Sequence, residues 1–310
     1  MWSMITRQFM TGIVTLLVVI TLTFVLLRLL PGGPFDQERA LPPAIKANME
    51  ARYHLNEPLW AQYGYYLSNL VRGDLGPSYK FKSRNVSDIV ADATGISARI
   101  GLIALIAGTA AGLFLGALAG IVRNRFWDGL LTFIGVSSIS TPSFIFGGCL
   151  VLLFALTLRW FPAATLSSPK HYVLPILTLS LVPFSYAFLL IRTTVREMRH
   201  QQFVQIKRSF GLDEGRIALR HILRNSLLPL VSILGPITAA IITGSFAVEF
   251  IFAVPGLGKH FVTAVSNRDY TLVMGITIVY SVALILFNTL TDIVYGYLDP
   301  RFRESTKASE

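Results

Sequence analysis

Charge is what this chain has least of. Only 14% of its 310 residues are Asp, Glu, Lys or Arg, and 53% are hydrophobic, against about 25% charged in an average soluble protein. That balance excludes an ordinary soluble domain and predicts an integral membrane protein. Cysteine is nearly absent. Cys149 stands alone inside an apolar run, so no intrachain disulfide framework exists. The five histidines, His54, His171, His200, His221 and His260, are scattered and show no paired zinc spacing. Gly256-Leu257-Gly258-Lys259 lacks the earlier glycine of a phosphate loop, and His260 stands where a hydroxyl residue belongs. No G-x-S-x-G elbow occurs. The sequence therefore predicts no catalytic set, no bound cofactor and no metal. A net charge of +10 need not mean nucleic acid, because its densest cluster falls between two apolar runs, where basic residues set membrane topology.

What is abundant is long apolar sequence. Six segments reach the roughly 20 residues a crossing needs, near 9–30, 97–121, 129–157, 172–194, 226–252 and 272–298. Arg7 precedes the first, as in a signal peptide. The run is too long for one and no small-x-small site follows, so it reads as a retained span ending at Leu30-Pro31-Gly32-Gly33. Arg123 and Arg125, the eight basic residues from Arg192 to Arg224, and Arg301, Arg303 and Lys307 alternate with basic-poor connections at 158–171 and 253–271. The positive-inside rule then predicts cytoplasmic termini. Arg28, at the outer end of the first span, reads as a snorkelling side chain. The chain divides into residues 1–30 as an N-terminal span, 31–96 as an extracytoplasmic helical segment, 97–300 as a transmembrane core and 301–310 as a tail.

The first connection is long enough for structure. Asn56-Glu57-Pro58 opens a helix, Leu59, Tyr63, Leu67 and Leu70 form one face, and Gly73 closes it. A further helix is expected around Ile45, Met49 and Tyr53. Trp60, Tyr63, Tyr65 and Tyr66 fit interfacial anchors or a docking platform for an external partner. Gly108, Gly112, Gly116 and Gly120 recur every four residues, a ridge that admits close approach by a helix of this chain or of a second subunit. Pro142, Pro175, Pro183, Pro229 and Pro236 lie in or beside spans and predict kinks. Two intramembrane carboxylates, Glu249 and Asp292, lie near span ends, as functional groups or as interhelical hydrogen-bond acceptors.

The fourth connection, 195–225, carries most information. Placing the eight basic residues from Arg192 to Arg224 in hydrocarbon would cost roughly 20 kcal/mol, so it lies outside the bilayer. Yet Phe203, Ile206 and Phe210 recur at i, i+3 and i+7, one apolar stripe on a short helix. Gly211 can take the left-handed conformation that ends it. Leu212-Asp213 starts another helix, with Asp213 as N-cap. Such a helix either rests on the inner leaflet, where Lys207 and Arg208 suit anionic headgroups, or is presented to a partner.

The stretch F-V-Q-I-K-R-S-F-G-L, with His221, Asn225 and Pro229, resembles the coupling loop of ABC-importer permease subunits, most of all those of the oligopeptide/dipeptide family. Further matches follow in order: L-P-G-G-P-F at Leu30, R-G-D-L-G-P-S at Arg72 and T-P-S-F at Thr141. After them come I-T-G-S-F-A-V-E at Ile242, V-P-G-L-G-K at Val254, N-R-D-Y at Asn267 and L-D-P at Leu298. The resemblance implies an all-α permease of about six spans. It implies coupling to an ATPase through Phe203, Ile206, Lys207, Phe210, Gly211, Leu212 and His221. Glu249, Asn267, Arg268 and Asp269 fall where a translocation path or outer gate is expected. The implied partners are a second homologous permease, two ATPase subunits that carry ATP and Mg, an extracytoplasmic peptide-binding protein and membrane lipid, in a bacterial inner membrane. The family usually has small residues where this chain has Lys207 and Ser209, and often lysine where Phe210 stands, which suggests a co-adapted ATPase.

Overall fold

A computed structural model describes residues 2–35, 50, 55–81, 84–199, 201–211 and 223–298. Among them the regular structure is all helical, apart from one isolated bridge between Pro77 and Asn85. Helix α1 covers Trp2–Leu29, α2 Leu59–Val71 and α3 Val86–Ile121. Helix α4 covers Arg125–Ser140, and α5, Ser143–Leu150, continues as a π-helical turn over Val151–Thr157. Next come α6 (Val173–Met198), α7 (Gln202–Ser209) and α8 (Leu223–Ile242). Then follow α9 (Phe246–Ile251) and α10 (Leu257–Ser266), and α11 runs over Tyr270–Leu298.

Five helices are long and apolar enough to cross a membrane, and the pair α4–α5 makes a sixth crossing only if its 110° bend lies within one span. The contacts favour that. Asp128 meets Arg192, Ser138 meets Ser185, and Gly147 lies against Thr178, so the pair climbs α6 from one end toward the other. The span read over 129–157 is thereby a bent pair, broken beside Pro142, where a kink was expected. Pro142 has no N–H to donate and biases the residue before it toward extended backbone, and Thr141 sits at φ −91°, ψ 119°.

Two more boundaries differ. α3 begins at Val86 rather than 97, because Asp88, Asp92 and Arg99 lower the hydropathy without interrupting the helix. At about 1.5 Å per residue its 36 residues extend well past a hydrocarbon core of about 30 Å. The span read over 226–252 stops at Ile242, where Gly244 turns the chain at φ +91° before α9 resumes. α10 occupies a stretch read only as a polar connection.

α3 and α6 run parallel along the glycine ridge. A Cβ on Gly112 would come 2.6 Å from the Phe184 carbonyl, one on Gly116 2.7 Å from that of Phe188, and one on Gly120 2.6 Å from Val195 Cγ1. The Gly108 position faces Ser180 and Pro183. These four glycines therefore pack within the subunit. α1 pairs antiparallel with α11, Ile20 and Phe24 meeting Met274 and Ile278.

α2 lies across the end of α1. Tyr63 and Tyr66 turn inward onto Phe24, with Tyr63 5.0 Å from it ring to ring, so they are core groups rather than interfacial anchors. Leu59 and Trp60 face outward, which removes Leu59 from the buried face expected of it. Arg28 does not snorkel: its Nε donates to Gln62 Oε1 at 2.9 Å beneath α2. The helix expected around Ile45, Met49 and Tyr53 lies outside the described residues.

Candidate functional site

At the end of the bundle where α3 stops, α7 projects from α6. Among its described side chains, one anchors it. Val204 is fully buried against Ile191 and Val195, with Leu113, Ala117, Ile121 and Met198 around it. Arg199, just ahead, donates to the carbonyls of Gly120 and Ile121 at 3.0 and 2.9 Å and so caps the end of α3. Asp128 at the start of α4 accepts from Arg192 at 3.1 Å and from Arg196 at 2.5 Å. The ends of α3, α4 and α6 are thus cross-linked into one base beneath α7.

The opposite face of α7 is bare. Ile206 is 56% exposed and Phe210 81% exposed. Gly211 follows at φ +74° with nothing near its Cα, so its conformation rather than its size requires glycine. Phe203 and Lys207 lie on the helix, but their side chains, like Leu212, His221 and Asp213, fall outside the described residues. The stripe read at 203, 206 and 210 missed Val204, which lies about 100° around the helix from Phe203. Only its docking reveals its role.

At the other end, the remaining sequence motifs converge. Glu249 is buried; Oε1 accepts from Ser97 Oγ at 2.7 Å and Oε2 from the Lys259 N–H at 2.9 Å. Ser97 Oγ also accepts from the Leu257 N–H at 2.9 Å. Together the two side chains cap α10, whose own N-cap residue, Gly256, has no side chain to do it. Gly256 and Gly258 are required there: a Cβ would meet Glu249 Cδ at 2.5 Å and the Phe246 nitrogen at 2.6 Å.

Asp269 is likewise buried, accepting from Ser78 Oγ, from the Tyr79 N–H at 3.2 Å and from Thr271 Oγ1 at 3.0 Å. Arg268 donates to the Pro31 carbonyl at 2.8 Å, and Tyr270 to that of Gly32 at 3.2 Å. Asn267 closes α10. Three segments far apart in sequence, at 31–35, 76–79 and 267–271, therefore meet at one place.

Glu249 and Asp269 serve helix ends. Beside them a groove of about 390 Å³ is lined by Ala240, Thr243, Phe246, Phe261, Thr277 and Tyr280. Thr243 and Phe246 fall in the motif at Ile242, but Ala240, Phe261, Thr277 and Tyr280 were not singled out in the sequence, because apolar and hydroxyl residues on spans carry little local signal.

Residues 112–304 match the family model described as the binding-protein-dependent transport system inner membrane component. That stretch takes in the base, α7, the Glu249 node and the groove. The chain belongs to this family. It is 40% identical over 305 residues to the oligopeptide transport system permease protein OppB of Haemophilus influenzae, covering 98% of this chain and all of that one. It is 41% identical over 297 residues to the dipeptide transport system permease protein DppB of Bacillus subtilis, covering 96% of each. A dipeptide permease of Lactococcus lactis is 33% identical over 291 residues, 94% of this chain. The protein is a multi-pass membrane permease of the type I ABC-importer class.

Proposed function

We propose that this subunit carries oligopeptides across a bacterial inner membrane, driven by ATP hydrolysis on separate subunits. The bare Ile206–Phe210 face carries the reading. A helix outside the spans that leaves a large aromatic ring uncovered, on a base tied to three spans, is built to be gripped. Near-full-length similarity to oligopeptide and dipeptide permeases supports the peptide cargo.

In this reading both termini and α7 face the cytoplasm. Two ATPase subunits hold ATP and Mg and grip α7 around Ile206, Phe210 and Gly211; this chain itself binds no cofactor and performs no catalysis. Their closure moves the base, which moves α3, α4 and α6. A second homologous permease completes the path, because a peptide's unpaired backbone groups cannot enter hydrocarbon at several kcal/mol each. The groove at Phe246 and Tyr280 faces that path. An extracytoplasmic binding protein delivers cargo to the end carrying α2 and α10, with Asn267, Arg268 and Asp269 holding the docking loops in place.

The test is peptide-stimulated ATP hydrolysis by the reconstituted complex. Phe210→Asp and Gly211→Pro abolish stimulation and leave membrane insertion intact. Undiminished stimulation in both variants, or crosslinks from α7 that capture only lipid, would reject the assignment.

A further inference from the structure

Where the apolar run of α1 ends, a cleft of about 260 Å³ lies between α1, α2, the 74–79 loop and the start of α11. Arg28, Gln62, Tyr66, Asn69, Asp74 and Tyr270 line it. One edge of the Arg28 guanidinium is held by Gln62, and its flat face lies 3.8 Å from the Phe24 ring centre. Its Nη1 is shut from solvent with no hydrogen-bond partner, and the Tyr66 hydroxyl is in the same state. Among the described residues no carboxylate forms an ion pair with Arg28. A withdrawn charge with no counter-charge among the described residues costs several kcal/mol. One ring face at about 1–2 kcal/mol and one neutral acceptor offset only part of that.

Burial, opposed by the adjacent Arg28 charge, pushes the Tyr66 phenol above its ordinary range, so it stays a neutral donor. Asp74 stands on the rim, accepting the Gly76 N–H at 2.8 Å, and brings an opposite charge to the opening. The cleft therefore offers a deep cation, neutral donors and an outer anion. Its volume falls just below the range of drug-sized pockets.

We propose that this cleft is a binding site for a small zwitterion, its phosphate or carboxylate held at Arg28 and Tyr66 and its ammonium at Asp74. Two sources share this chemistry. An aminophospholipid headgroup would stand at the level where α1 leaves the hydrocarbon, its acyl chains along the exposed Val25, Leu26 and Leu29. A free dipeptide would enter from the aqueous side.

Native mass spectrometry on the full-length chain in neutral detergent separates them, titrating short-chain phosphatidylethanolamine, short-chain phosphatidylcholine and dialanine in parallel. One equivalent of phosphatidylethanolamine binds, and Arg28→Gln weakens it about tenfold or more, the size of one charge-assisted hydrogen bond. Phosphatidylcholine binds less well, since its quaternary ammonium gives Asp74 no N–H, and Asp74→Asn removes that preference. Dialanine binding with the same Arg28 dependence, and no phospholipid binding, assigns the site to peptide instead. If Arg28→Gln lowers the helical content of the chain, Tyr66→Phe, which deletes only the unpartnered hydroxyl, takes its place. Absence of one-to-one binding for all three ligands, or affinities unmoved by these substitutions, overturns the proposal.

Discussion

Glu249 illustrates how a carboxylate inside a membrane protein can be tied to architecture. Its two oxygens accept from different elements, Ser97 on α3 and the Lys259 amide on α10. Glu249→Ala leaves a buried hydroxyl and a backbone N–H without their acceptors, at about 3 kcal/mol. Glu249→Gln is also destabilising, because its amide nitrogen sets a donor against a donor. Both variants lower the apparent melting temperature of the purified chain, and Ala lowers it more; an unchanged melting temperature in Glu249→Ala would contradict the capping role. At this scale the sequence was half legible. Glu249 stood out as a charge among apolar residues and Asp269 through the N-R-D-Y resemblance, but Ser97 did not stand out, and nothing showed what Ser78 or Arg199 would meet. A serine or arginine in a helix gives no sign of which distant backbone group it will meet.

Among the helices, the glycine ridge makes the sharpest demand. Gly112→Ala puts a methyl group against the Phe184 carbonyl and Ala187, closer than carbon atoms approach without displacement. Forcing α3 and α6 apart costs about 1–3 kcal/mol. Gly95→Ala, on the same helix with nothing near its Cα, is neutral or stabilising by up to about 1 kcal/mol. Thermal unfolding of the two variants side by side checks the contrast. α7 makes a different demand. Val204→Asp sets a carboxylate among Ile191, Val195 and Leu113, so the helix undocks. Trypsin then cuts at Lys207 and Arg208 about tenfold faster or more, the factor for 1.4 kcal/mol of lost docking, while Phe210→Asp leaves the cleavage rate unchanged. Helix existence was readable from apolar runs and from Gly211. A kink at Pro142 was readable too, but its 110° size, the early start of α3 and the whole of α10 were not, because hydropathy reports the depth of a segment and not its hydrogen bonding.

At the scale of the molecule, the two ends of the bundle divide the work. One end gathers Asp128, Arg192, Arg196, Arg199 and the exposed face of α7; the other gathers α2, α9, α10 and three converging turns. In a Cys149→Ser background, Ser68→Cys is labelled by an impermeant maleimide from outside intact cells, and Ser209→Cys only after permeabilisation. The reverse pattern would invert the proposed orientation. Composition, the length of the apolar runs and the placement of arginine by themselves determined that this is a multi-span membrane protein with a basic connection between two of its apolar runs. Those properties follow from transfer energies, which add residue by residue along the chain. Which face of α7 stays bare, that the ridge packs within the subunit and that Arg28 lies in a cleft against Phe24 and Gln62 were decided only by the tertiary structure. Each depends on a partner brought near by folding, and pairing energies have no counterpart in a single stretch of sequence.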